Sequence, residues 1–148
     1  MKTLGTIFVL GLALVLTACG TNSDNGSING NWTAALMNSN SGGPPVFDFT
    51  ATFTESSGSG VTITNLNFTT STPCFASGST ATGGFTLSGN QNGVTSGGFQ
   101  MNIQSTGSAS NLLTLQGTVS NNKISGTWSL SGTTSGCSGS GAFTMNKS

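Results

Sequence analysis

The chain of 148 residues carries three basic and three acidic side chains, has no formal net charge, and is only 4% charged, with no histidine, arginine or tyrosine. This balance leaves no basic patch for nucleic acid or anionic lipid and no acidic tail for a basic partner. The missing imidazole removes Ser-His-Asp and Cys-His catalysis and the nitrogen ligands of zinc sites. Solubility must come from Ser, Thr, Asn, Gln and the 23 glycines.

Met1-Lys2 opens the chain with a positive charge, Leu4 to Leu16 form an apolar run, and small residues follow at Thr17 and Ala18. That order is the layout of a secretory signal peptide over residues 1–18. The run is shorter than the about 20 apolar residues that a membrane span needs. Leu16-Thr17-Ala18-Cys19 resembles the lipobox of bacterial lipoproteins, in which the cysteine becomes the first residue of the mature chain. The resemblance implies that Cys19 carries a thioether-linked diacylglycerol and an amide-linked acyl chain such as palmitate. At about 0.8 kcal/mol per buried methylene, such chains make a lasting membrane anchor. Gly20 and Thr21 stand where lipoproteins held at the inner membrane of two-membrane bacteria often carry an aspartate. The family rule therefore implies export to the cell envelope, with the outer membrane favoured over the inner.

"GTNSDNGSIN" (20–29) has neither period nor apolar content. Residues 19–29 thus read as a lipidated cysteine followed by a flexible tether, with a reach of roughly 17 Å. Residues 30–148 read as one domain. Within it the pattern is alternation without helical period. In "VFDFTATFTE" (46–55), Phe47, Phe49, Ala51 and Phe53 oppose Asp48, Thr50, Thr52 and Thr54. "GGFQMNIQ" (97–104) sets Phe99, Met101 and Ile103 against Gln100, Asn102 and Gln104, and "LLTLQGTV" (112–119) and "KISGTWSLS" (123–131) continue the pattern. The chain divides into about eight strands, near 30–37, 46–55, 61–69, 80–88, 94–104, 112–120, 123–131 and 139–146. Val61 and Ile63 followed by Leu66 and Phe68 break parity, which predicts a β-bulge near Thr64-Asn65. Asn121-Asn122 suits a tight hairpin.

The expected fold class is all-β: a single antiparallel meander closed as an up-and-down barrel, which removes exposed edges. A flattened β-sandwich satisfies the same alternation. In a meander the odd-numbered connections, 38–45, 70–79, 105–111 and 132–138, lie at one end. Cys74 and Cys137 fall in two of them, and an even pair in an exported protein reads as one disulfide. In a barrel these connections sit across the mouth from each other, so a bridge must cap or narrow the opening. The tether leaves from the opposite, tight end.

Little in the chain is suited to catalysis, and the expectation is a non-enzyme. Lys123 adjoins a hairpin turn, Lys147 is penultimate, and Asp48 and Glu55 lie on opposite faces of one strand. No metal site and no cofactor are expected. Gly83-Gly84 and Gly97-Gly98 lack the strand-to-helix context and lysine of a phosphate loop. The inward set includes Trp32, Phe47, Phe49, Phe85, Phe99, Met101 and Trp128, which form either a filled core or the wall of a cavity for one small, neutral, apolar ligand.

"INGNWTAAL" (28–36), "ISGTWSLSG" (124–132) and the eight-strand meander are similar to lipocalin and avidin-type barrels, which bind small hydrophobic ligands or biotin. The missing tyrosine departs from the biotin sites of that group. The resulting expectation is a membrane-anchored, non-catalytic binding module, taking a neutral apolar small molecule or gripping a protein or glycan through its rim loops. The alternative is an envelope-coating lipoprotein without a specific ligand.

Overall fold

The computed structural model describes residues 28–39, 44–56, 60–69, 72–75, 79–91, 94–105 and 110–148, with the backbone alone for 85–91 and 94–96. Eight strands follow in chain order: β1 (Gly30–Leu36), β2 (Phe47–Glu55), β3 (Gly60–Phe68), β4 (Thr80–Gln91), β5 (Val94–Gln104), β6 (Leu112–Ser120), β7 (Lys123–Ser131) and β8 (Gly139–Lys147). Each pairs with its neighbour, and β8 returns to β1, giving a closed antiparallel barrel rather than a sandwich. The fourth strand extends three residues beyond the alternation that marks it, because it bulges between Leu87 and Gly89 and then resumes pairing with β5.

Alternation directs the packing. Trp32, Ala34, Leu36, Phe49, Ala51, Phe53, Met101, Ile103, Leu113, Leu115, Ile124, Phe143 and Met145 are all buried inside, while Thr, Ser, Asn and Gln take most outer positions. An apolar inside and a polar outside is the reverse of a barrel that spans a bilayer.

The third strand carries the bulge at the expected place. Thr50 lies opposite Asn67 and Thr52 opposite Thr64, so Asn65 and Leu66 together face Ala51. Asn65 adopts a left-handed backbone (φ 51°), which an asparagine tolerates better than most residues, and its side-chain amide donates to Thr52 Oγ1 at 3.2 Å. Asn121 (φ 53°) makes the tight turn between β6 and β7, with Ser120 opposite Lys123.

The two ends differ. At the tight end Ile28 is buried; its N–H donates to Glu55 Oε1 at 3.0 Å. Ile28, which its polar surroundings assign to the tether, therefore belongs to the core. At the other end the bridge predicted from cysteine parity is present: Cys74 and Cys137 are disulfide-bonded across 63 positions of sequence, with Cα atoms 5.5 Å apart.

Candidate binding site

The barrel interior is occupied by rings packed on rings. Towards the tight end Trp32 stacks on Phe53 (6.0 Å between centroids), Phe53 meets Phe99 (5.9 Å) and Phe99 meets Phe143 (6.4 Å). Towards the looped end Phe47 is edge-on to both Trp128 (6.0 Å) and Phe75 (6.4 Å), and Phe68 stacks on Phe75 (5.0 Å) and contacts Phe49 (5.4 Å). Each buried indole discharges its N–H on a backbone carbonyl, Trp32 on Ile28 O at 2.7 Å and Trp128 on Met37 O at 2.8 Å. Among the described residues, no buried side-chain polar atom lacks a partner. The inward set thus reads as a core whose polar atoms are already satisfied.

At the looped end the described parts of the connections enter the core. Cys74 and Phe75 turn inward beneath the mouth, and the disulfide fixes them to Cys137, itself fully buried. Asn111, the one buried polar side chain of the described core, joins the loops. Its amide donates to Cys74 O at 2.9 Å and Thr134 Oγ1 at 3.1 Å, and its carbonyl oxygen accepts from Thr134 N at 3.4 Å. A Cβ on Gly132 would overlap Asn111 Oδ1, so glycine is what lets the third loop pass so close. Connections that are far apart in sequence become a single platform. This resolves the geometric demand of a bridge across the mouth, since the loops meet by folding into the opening.

Just below that platform, on the outside of the wall, lies an open groove of about 530 Å³. Its floor is the outer face of three strands: Thr114 and Gln116 on β6, Thr127 and Ser129 on β7, Ser140 and Ala142 on β8. Thr114 is opposite Ser129 and Ser129 opposite Ser140, while Gln116 is opposite Thr127 and Thr127 opposite Ala142, which makes two short rows across the strands. Ser39, Gly141 and part of Trp128 complete the lining. Met37 N donates to Ala142 O at 2.8 Å, which brings the start of the first connection, and with it Ser39, over β8. Gly141 allows this crossing, because a Cβ there would overlap Met37 O.

Of the residues singled out from sequence, Trp32, Phe47, Phe49, Phe99, Met101 and Trp128 are brought together inside the barrel. The Phe85 side chain and Cys19 lie outside the described residues. Glu55, Lys123 and Lys147 stand at strand termini of the tight end and Asp48 towards the other end of β2, opposite Ala35, and no group of three or more His, Cys, Asp or Glu residues suited to a metal ion occurs among the described residues. Nor, among those residues, is there a helix long and apolar enough to cross a membrane. Asn111 and Phe75 are the residues that sequence reasoning misses. Phe75 beside a paired cysteine is a usable signal, whereas Asn111 looks like any other polar loop residue. No protein-family model, curated protein or solved structure matches the chain.

Proposed function

We propose that this protein is a bacterial envelope lipoprotein, anchored through lipid on Cys19, and that its barrel is a non-catalytic binding module whose contacts are made from the looped end. The supporting observation is the fusion of three connections into one platform by the Cys74–Cys137 bridge and the Asn111 hydrogen bonds. A surface held in one conformation before binding loses little entropy on binding. Ile28 lies at the end opposite the platform, so a tether before it leaves the platform directed away from the anchored side. The resemblance of Leu16-Thr17-Ala18-Cys19 to a lipobox supplies the anchor.

The packed interior favours a macromolecular partner at the rim over an apolar molecule inside, since a ligand there would have to displace stacked rings. The nearly uncharged Ser/Thr/Asn/Gly surface favours a second reading, a coating role without a specific ligand. Site-specific photo-crosslinking in cells separates the two. A crosslinker at Ser135 on the platform is expected to give a discrete adduct, and one at Ser120 near the tight end none. Adducts of equal intensity and no defined mass from both positions would overturn the rim and support the coat.

Palmitate labelling tests the anchor. The chain should take up label, and Cys19→Ser should abolish it.

A further inference from the structure

We infer that the groove on the outer wall of β6, β7 and β8 is a binding site for a neutral, hydroxyl-rich glycan, separate from the platform above it. Its volume of about 530 Å³ is of ligand-site size. Thr114, Gln116, Thr127, Ser129 and Ser140 line it from the outer faces of β6, β7 and β8, and each brings a hydroxyl or amide group to that face. Hydroxyls both donate and accept, and the amide of Gln116 does each with a different atom. That is the complement of a sugar, whose hydroxyls do the same. Ala142 adds an apolar contact suited to the C–H face of a pyranose ring, and Trp128, buried inside the wall, backs the groove from within.

Charge selects the class further. The lining contains no ionisable group, and Lys123 and Lys147 stand at the far ends of β7 and β8. A phosphorylated or acidic sugar would lose hydration without gaining a counter-charge, whereas a neutral one gives up no hydration of a charge. The site is also prearranged. Threonine is stiff at χ1, and the rows are fixed by the continuous β6–β7 and β7–β8 ladders, which leaves little to be ordered when a ligand arrives.

The test is amide-resolved NMR on the full lipidated chain in detergent, titrated with short linear oligomers of glucose, mannose, galactose and N-acetylglucosamine, and with oligogalacturonate as the acidic counterpart. At least one neutral oligomer should move the amides of Thr114–Gln116, Thr127–Ser129 and Ser140–Ala142, with an affinity insensitive to salt, and oligogalacturonate should not. Thr127→Val, which keeps the shape and removes the hydroxyl, combined with Gln116→Ala, should weaken binding by about tenfold or more at an unchanged thermal midpoint. Ser129→Ala alone should weaken it less. The site is overturned by an absence of shifts with every neutral oligomer, by tighter binding of oligogalacturonate, or by full affinity in the variants. Shifts confined to residues 132–138 would also overturn it while leaving the platform reading standing.

Discussion

From β5 to β8 each pair of strands is bonded along its length, Ser96 opposite Ser120 through Gln104 opposite Leu112, and Leu112 opposite Ser131 through Ser120 opposite Lys123. Between β3 and β4, by contrast, the described pairing consists of Gly60 opposite Gly84 and Val61 opposite Gly83. Past those pairs the seam is closed by side chains. Ile63, Leu66, Phe68 and Ala81 are half-buried and pack against the core, and Phe68 lies on Phe75, which the disulfide holds in place. Two means of closure therefore coexist in one barrel, a hydrogen-bonded wall and a packed seam pinned by a covalent bond. A wall that keeps its shape unaided is suited to presenting rows of polar groups, and a seam that depends on its plug explains why the plug is cross-linked.

Removing the bridge should have the largest effect and should act on the seam. Cys74→Ala with Cys137→Ala is expected to cost about 4 kcal/mol in denaturant unfolding, from the entropy regained by a loop of 63 residues in the unfolded chain. Hydrogen exchange should then show Thr62 to Leu66 losing protection before any amide of β6 or β7. Uniform loss around the barrel would erase the distinction between seam and wall.

Gly126→Ala attacks the wall instead. A Cβ at that position would overlap the Gln116 carbonyl oxygen on the neighbouring strand, so β6 and β7 must part, at about 3 kcal/mol in the same unfolding experiment. Asn111→Ala should cost about 2 kcal/mol, because it leaves the Cys74 carbonyl without its buried donor, and it should loosen residues 132–138 before the wall. At the bulge beside the seam, Asn65→Ala should cost about 1 kcal/mol through its left-handed backbone, and Asn65→Gly less. Smallest and opposite in sign is Gly98→Ala. This glycine is exposed on β5 with open space around it, and the substitution should raise stability by about 0.5 kcal/mol, readable as a higher thermal midpoint.

The contrast between wall and seam also marks what could be read from the chain. Strands declare themselves where one face is buried and the other wet, as in Phe47 to Phe53 and Leu113 to Val119, and the parity break between Ile63 and Leu66 locates the bulge because a slipped register would turn every later side chain over. Cysteine parity, with the meander's alternating ends, places the bridge. The seam is not legible, since Ile63 and Ala81 are each paired on one side, with Phe53 and Ile103, and nothing in their alternation shows that the β3–β4 side is left without a ladder there. Asn111 is hidden for a related reason. Its partners lie 37 and 23 positions away, and a buried polar residue before a strand carries no local mark. The outer groove is a matter of three-dimensional placement as well, for Ser39 reaches it only because the first connection crosses β8 at Ala142.

The claim that the interior is filled and that binding takes place outside it is tested most directly by the intact mass of the purified protein under native and denaturing conditions. A filled barrel predicts the same covalent mass in both, two hydrogens lighter than the thiol form because of the Cys74–Cys137 bridge. A small apolar molecule that accompanies the native chain and departs on denaturation would contradict it and put the ligand among the rings of Trp32, Phe47 and Trp128.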